Sequence, residues 1–139
     1  NVSLDRPHVG SSEVREALRS VGILEALLEL PQGLKTVLTP DGAPLNETRS
    51  RLLVLARALA GRPRLLVVDG LLDGLDDESL DTVMPALADP TRTTVVLTAR
   101  PEIARRLPRT VRLGDPSLPA NGPRFRFEEP AHGTAPSEG

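Results

Sequence analysis

Apolar residues recur at helical spacing through the first half of the chain. From about Ser11, positions 14, 17, 18 and 21 are apolar, which is the repeat of one helix face. A second, short apolar helix is predicted over Ile23 to Leu30. After Asn46, a residue type that caps helices, Glu47 to Ala60 has a broad apolar face and ends next to Gly61. This last segment is the clearest helix in the sequence.

The second half alternates short apolar runs with further helical segments. Leu65 to Val68 and Thr94 to Thr98 are runs typical of strands that are buried on both faces of a parallel sheet. Between them, Asp76 precedes a helix with apolar residues at 80, 83, 84 and 87. A short basic helix from Glu102 to Leu107 and a strand from Thr110 to Leu113 follow. This alternation predicts an α/β fold, in which ligands bind beyond the carboxyl ends of the strands.

Composition narrows the functional classes. The 139 residues carry 17 Lys and Arg against 19 Asp and Glu, with two Phe and no Tyr, Trp or Cys. A net charge of -2 and so few aromatic rings speak against nucleic-acid binding. Without cysteine there is no disulfide, thiolate metal site or cysteine nucleophile, and no apolar run approaches the roughly 20 residues that span a bilayer. We therefore expect a cytoplasmic protein that binds no nucleic acid.

Residues 115–139 form a tail that is rich in proline and glycine and has no sustained apolar period. Such a composition is typical of disordered segments. Phe125 and Phe127 in this tail are either docking residues for a partner or ordinary tail residues, and the sequence does not decide between the two.

Six segments follow one another in a characteristic order. They are NVSLDRP, SSEVREALRSVGI, LPQGLKT, LNETRSRLLVLARALAGRPRLLVVD, LDGLDDES and TTVVLTAR. This series resembles the downstream part of an ATP-binding cassette (ABC) nucleotide-binding domain of the exporter type, from about residue 1 to residue 114. The resemblance implies a helical and signature region over about residues 1–60 and a parallel-sheet core over residues 61–114.

The resemblance assigns the family's motifs to positions of this chain. The signature motif, usually Leu-Ser-Gly-Gly-Gln, falls on Leu45, Asn46, Glu47, Thr48 and Arg49. The D-loop, usually Ser-Ala-Leu-Asp, falls on Asp73, Gly74, Leu75 and Asp76. The Walker B strand falls on Leu65 to Asp69, and Asp69 would help to hold Mg²⁺. The exporter-type loop, usually Val-Gly-Glu-Arg-Gly, falls on Leu38 to Gly42.

Two positions lack the side chains that hydrolysis uses in this family. Gly70 stands where the catalytic glutamate is expected, and Ala99 stands where the switch histidine is expected. Hydrolysis of a phosphoanhydride needs a group that orients water and donors on the γ-phosphate, and neither residue has a polar side chain. Glu47 also places a carboxylate where signature glycines would admit a phosphate. Because like charges about 4 Å apart repel by roughly 4 kcal/mol at an effective dielectric of about 20, we expect poor phosphate binding there.

No Walker A motif, G-x-x-x-x-G-K-[ST], occurs in the sequence. The single lysine, Lys35, lies in PQGLKT, which lacks the earlier glycine and follows a helix instead of a strand. The resemblance implies that the phosphate-binding loop would lie before Asn1 and that its strand would sit between Thr94–Thr98 and Thr110–Leu113. We therefore expect no cofactor for the chain alone, and ATP with Mg²⁺ only where a partner or a missing segment completes the site.

Other chemistry-bearing residues have ordinary explanations beside functional ones. A two-metal site is conceivable in the five acids after the first strand, which are Asp69, Asp73, Asp76, Asp77 and Glu78. Two of them, Asp76 and Asp77, are however well explained as a helix cap and a first-turn acid. A solvated helix face is favoured over phosphate contact for the arginines at 100, 105, 106 and 109. His8 and His132 lack neighbours for a triad or a metal site, and no G-x-S-x-G motif supports a serine hydrolase.

We interpret the chain as a partial P-loop NTPase fold that lacks the Walker A strand. The expected function is that of a degenerate ABC segment of an exporter-like transporter, with no catalytic residue of its own and no hydrolysis of ATP alone. Two alternatives stay open, a non-catalytic protein-interaction or regulatory module on the same fold and an ATPase with non-standard catalytic residues. The expected partners are another ABC nucleotide-binding domain or a second copy of the chain, together with the transmembrane domain of a parent transporter. Such a segment would work at the cytoplasmic face of the membrane.

Overall fold

The computed structural model describes residues 2–4, 6, 7, 9–113 and the backbone of 125–128. The chain divides into two units, residues 1–99 and residues 100–139. The first unit contains α1 (Ser11–Ser20), α2 (Leu24–Leu28), α3 (Glu47–Leu59), β1 (Leu65–Asp69), α4 (Asp77–Leu87) and β2 (Thr93–Leu97). It also contains two short 3₁₀ turns, Gly33–Lys35 and Leu71–Gly74 (the 71–74 turn). The second unit contains α5 (Pro101–Ala104), β3 (Thr110–Leu113) and β4 (Phe125–Glu128).

The predicted helices of the first half are present. Helix α3 begins after Asn46, whose side-chain oxygen accepts a hydrogen bond from the backbone N–H of Arg49 at 2.8 Å, which confirms the predicted cap. Helix α1 begins at Ser11, and its amino end is closed by Glu13, which accepts a hydrogen bond from the N–H of Gly10 at 3.1 Å. Helix α2 is shorter than predicted because the chain tightens after Leu28 into the turns that lead to the 33–35 segment.

The core of the first unit is made of leucine, valine and alanine side chains from all four helices. Helix α1 packs against α3 and α4, and the contact between α3 and the 71–74 turn extends this layer. The buried positions lie on the predicted faces, and they include Ala17, Leu18, Leu52, Leu55, Ala56, Leu80 and Val83. Across residues 9–113 and the described residues before them, every residue that is buried as a whole is apolar. Some arginine side chains nonetheless bury polar atoms, among them Nε of Arg51 and Nε of Arg92. The apolar core therefore contributes shape and stability.

Strands β1 and β2 form a parallel pair, as predicted for an α/β fold. The register runs from Leu65 opposite Thr93 to Asp69 opposite Leu97, so β2 begins one residue earlier than predicted. Because the strands are parallel, both carboxyl ends lie at the same edge of the sheet. The turns that follow Asp69 and Leu97 therefore meet there.

Within the part of the chain that the structure describes, only one face of the sheet is covered, which contradicts the expectation that both faces are buried. Leu66 and Val68 are each 4% exposed, whereas their neighbours Leu65 and Val67 are 58% and 57% exposed. Val95 and Leu97 lie on that same exposed side, because they pair in register with Val67 and Asp69. Leu65, Val67, Val95 and Leu97 are called the open face. The expectation failed because an apolar run shows that a strand is apolar on both sides, not which chain segment covers each side.

The second unit contains a short hairpin-like pairing that the sequence does not suggest. Strand β3 matches its predicted bounds and pairs antiparallel with β4, with Thr110 opposite Glu128. Strand β4 falls in the tail predicted to be disordered, so for these four residues the structure differs from the prediction. The sequence Phe-Arg-Phe-Glu alternates with a period of two, and pairing with β3 supplies its backbone hydrogen bonds. The rest of residues 115–139 and the side chains of Phe125 and Phe127 lie outside the described residues.

The helix predicted before β3 is shorter than expected. Helix α5 ends at Ala104, and the predicted continuation to Leu107 consists of tighter turns, in which Arg106 donates to Ile103 and Leu107 to Ala104. In the described portion of the chain, no helix combines the length and the apolar character needed to cross a bilayer.

Candidate functional site

The carboxyl edge of β1 and β2 is the place where an α/β fold of this kind binds ligands. Asp69 ends β1, and Gly70 follows it with φ of 61°, in the left-handed region. The N–H of Gly70 donates to the carbonyl of Leu97 at 3.0 Å, which joins the ends of the two strands. A Cβ atom built on Gly70 would meet no atom of the described residues within 4 Å. The position expected to hold a catalytic glutamate is therefore open space, and its backbone favours glycine.

Asp73 links the turn after β1 to the segment after β2. Its Oδ1 accepts a short hydrogen bond from the hydroxyl of Thr98, and its Oδ2 accepts one from the backbone N–H of Ala99 at 3.1 Å. Asp73, the first residue of the D-loop-like segment, therefore contacts Ala99, which stands where the switch histidine is expected. Both carboxylate oxygens of Asp73 therefore accept hydrogen bonds from donors within the chain.

The signature-like residues lie at the amino end of α3. Leu45 is buried, and the Asn46 cap takes the N–H of Arg49, one of the amides that a bound anion would use. Glu47 is 80% exposed and accepts a hydrogen bond from Arg51 at 2.7 Å, one helical turn further on. Thr48 lies beside it, half-buried. This helix end is therefore capped and charge-compensated by its own side chains.

The D-loop-like residues continue from Asp73 into the cap of α4. A Cβ on Gly74 would lie 2.4 Å from the Cζ of Arg51, so the guanidinium of Arg51 packs directly on the backbone of this turn. Leu75 is buried, and Asp76 accepts a hydrogen bond from the N–H of Ser79 at 2.8 Å, as a helix cap does. This hydrogen bond lowers the pKa of Asp76 below its usual value.

The exporter-type loop, residues 38–42, closes on itself. Thr39 donates its N–H to Ala43 at 3.1 Å, and Gly42 donates to Thr39 at 2.9 Å. The hydroxyl of Thr39 lowers the pKa of Asp41 by a hydrogen bond to its carboxylate. Asp41 is therefore an exposed, ionised group at neutral pH, in a loop where the family usually has a glutamate-arginine pair.

The carboxylates at this edge are the described groups that could contact a magnesium ion. Asp69 supplies one exposed carboxylate at the end of β1, while Asp73 is engaged with Thr98 and Ala99. Among the residues that the structure describes, no group of three or more histidine, cysteine or acidic side chains is arranged to hold a metal ion. Lys35 lies in the 33–35 turn after α2, not in a loop that follows a strand.

Sequence patterns single out Gly70, Asp73 and Asp76 but not Arg51 or Thr98. In the sequence, Arg51 is one of several polar positions of an amphipathic helix, and Thr98 is the last residue of a predicted strand. Their contacts depend on how α3 and β2 approach the 71–74 turn, and no local pattern encodes that approach. The small residue at position 74 is the only signal in the sequence that a side chain could pack there.

The fold of this chain is similar to part of a solved ABC exporter. A bacterial Atm1-family ABC exporter, solved with ATP bound, matches with a TM-score of 0.70 and 22% identity, over 78% of this chain and 19% of the exporter chain. At this identity the match establishes the fold, a P-loop NTPase-like α/β arrangement with a parallel sheet.

Relatives with similar sequences place the chain in a family. It is 40% identical over 88 residues to the ABC multidrug transporter mdr4 of Aspergillus fumigatus, which covers 63% of this chain and 7% of the transporter. It is 30% identical over 124 residues to human ATP-binding cassette sub-family B member 5, over 88% of this chain and 10% of that protein. The cyclolysin secretion/processing ATP-binding protein CyaB of Bordetella pertussis is 35% identical over 89 residues, which is 64% of this chain and 12% of CyaB.

These matches confirm the resemblance read from the motifs. The chain is a partial domain of the ABC exporter family, and it spans about a tenth of the length of the relatives it matches. No protein-family model matches it.

Proposed function

We propose that the chain is a degenerate ABC nucleotide-binding segment that does not hydrolyse ATP alone and acts through assembly with a competent cassette. The observation that carries the proposal is the carboxyl edge of β1 and β2. Gly70 and Ala99 offer no side chain that orients water or contacts a γ-phosphate, and the nearby carboxylate of Asp73 is engaged by Thr98 and Ala99.

The open face supports the part of the proposal that concerns assembly. Four apolar side chains, each at least 40% exposed, lie side by side on the parallel strands: Leu65, Val67, Val95 and Leu97. Contiguous exposed apolar side chains mark interaction sites. In the family, the Walker A strand belongs to this sheet. We propose that a segment supplied by a longer polypeptide or by a partner adds this strand at the edge of the sheet and that the residues joined to the strand pack on the open face. Such a complete domain would sit on the cytoplasmic side of a transmembrane domain in a parent transporter.

A nucleotide titration tests the proposal. The chain is titrated with a fluorescent ATP analogue and Mg²⁺, first alone and then in an equimolar mixture with a competent ABC nucleotide-binding domain. We expect no saturable binding of the analogue by the chain alone. In the mixture, we expect more saturable binding than the competent domain shows by itself. Tight binding by the chain alone contradicts the proposal and favours an ATPase with non-standard residues.

The same open face also favours the second candidate, a protein-interaction module without nucleotide. If this candidate is correct, the chain alone binds no nucleotide, and the mixture binds no more nucleotide than the competent domain does. The two proteins are still expected to associate in sedimentation velocity. A matched variant, Val67→Ser with Val95→Ser, makes the open face polar and leaves the carboxyl edge intact. It is expected to abolish association under either candidate, and a variant that associates as the unmodified chain does would exclude the open face as the contact.

A further inference from the structure

An unbroken series of contacts leads from the amino end of α3 to the end of β2. Glu47 holds Arg51 at 2.7 Å, and the guanidinium of Arg51 packs on Gly74 of the 71–74 turn. One residue earlier in that turn, Asp73 binds Thr98 and Ala99. All of these residues lie in the first unit.

The contact made by Asp73 is tertiary and charge-assisted. Its partners are 25 and 26 residues away in sequence, so the bonds fix two separate loops relative to one another. Hydrogen bonds to an ionised carboxylate are roughly twice as strong as those between neutral groups. A second bond, from the N–H of Gly70 to the carbonyl of Leu97, holds the same two loops a few residues earlier.

Arg51 approaches the backbone at Gly74 closely enough that any side chain there would displace it. Gly74 does not have a positive φ, so its backbone would accept alanine. A Cβ there would lie 2.4 Å, 2.6 Å and 2.8 Å from Cζ, Nε and Nη1 of Arg51. Only a residue without a side chain permits this approach, so the guanidinium of Arg51 and the turn that presents Asp73 are in contact.

We propose that Asp73 is a positioning residue for the segment after β2 and that Arg51 acts through it, so that the amino end of α3 and the end of β2 are mechanically coupled. A partner or ligand that draws Glu47 or Arg51 away would loosen the 71–74 turn and release the N–H of Ala99. The inference rests on contacts within the chain and holds whether or not the proposed nucleotide chemistry is correct.

Amide hydrogen exchange of the full chain, followed by NMR, tests the role of Asp73. In Asp73→Ala, exchange of the Ala99 amide is expected to accelerate by on the order of tenfold relative to the Leu55 amide in α3, because a charge-assisted bond is lost. Asp73→Asn retains a single acceptor oxygen and should give a smaller acceleration. Thr98→Ser keeps the hydroxyl and should retain protection, and Glu78→Gln, an exposed acid in the first turn of α4, should change nothing at Ala99.

A uniform acceleration of all amides in Asp73→Ala and Asp73→Asn would show general destabilisation and would overturn the positioning role. So would unchanged exchange at Ala99 in both variants.

A double-mutant cycle tests the coupling through Arg51. Arg51→Ala and Gly74→Ala are each expected to accelerate exchange at Ala99, because the first removes the guanidinium from the turn and the second displaces it. The double variant should exchange no faster than Arg51→Ala alone, because the added methyl group then has free space. Independent effects that multiply in the double variant, or no effect of Arg51→Ala at Ala99, would refute the coupling.

Discussion

Adjacent valines on β1 give a direct test of the one-sided sheet. Val67 and Val68 are the same residue type on the same strand, but Val67 is 57% exposed on the open face and Val68 is 4% exposed in the core. Alanine at either position removes the same two methyl groups and changes strand propensity equally. The difference between the two variants therefore reports only how well each face is covered.

The expected magnitudes follow from these exposures. Two methyl groups removed from a fully buried site cost about 1.6 kcal/mol of transfer free energy, to which a cavity contribution is added. For Val68→Ala we expect a loss of about 2 kcal/mol in the free energy of unfolding. For Val67→Ala, with less than half of its side chain out of water, we expect about 0.7 kcal/mol. The gap between the two variants is then about 1.3 kcal/mol.

Urea unfolding followed by far-ultraviolet circular dichroism measures this gap, since the chain has no Trp or Tyr for fluorescence. The measurement is made at two protein concentrations tenfold apart, with sedimentation velocity to establish the monomer. Equal losses for Val67→Ala and Val68→Ala in a monomeric sample would refute the open face. A gap that closes as the concentration rises would show that a second copy covers it.

Four further outcomes are expected. Replacing Asn46 by Ala removes the cap of α3 and should lower the free energy of unfolding by about 1 kcal/mol in the same urea assay. Gly70→Ala, which has space for its methyl group but a left-handed φ, should cost about 1 kcal/mol, and Gly70→Asn less, because asparagine tolerates that region. Because the Ser79 N–H lowers the folded-state pKa of Asp76 below the ordinary 3.8, the stabilisation by its ionised cap is complete above that ordinary value. The stability difference between the unmodified chain and Asp76→Ala should therefore be constant at neutral pH and shrink as the pH falls through the lowered pKa, in unfolding curves from pH 7 to pH 2.5. Gly70→Glu combined with Ala99→His should show no ATP turnover by the chain alone in a coupled-enzyme assay, and turnover would contradict the proposed dependence on a partner.

Local sequence signals determined most of the secondary structure. The caps at Asn46 and Asp76 marked the starts of α3 and α4, because a short polar side chain before an apolar helical repeat has few other roles. The apolar runs marked β1 and β2, and their alternation with a helix indicated an α/β fold with parallel pairing. These features depend on neighbouring residues, which is why the sequence sufficed.

Features that depend on distant segments escaped the sequence. The exposure of Leu65 and Val67 is decided by which elements pack on the sheet, and the strand at 125–128 exists because β3 offers it an edge. At the candidate site, motif comparison found Asp73 and Gly74 but not their contacts with Thr98 and Arg51. Those contacts span more than 20 residues and depend on the angles between helix and sheet.

Arg6 has a practical consequence for experiments on this molecule. Its guanidinium donates to the carbonyl groups of Val2, Ser3 and, at 2.8 Å, Arg57 in the last turn of α3. Val2 and Val9 are both buried, so the chain is anchored at these two positions as well. A spin label or fluorophore attached near residue 3 would therefore stay beside the carboxyl end of α3. Such a probe would report movements of that helix without any modification of the helix itself.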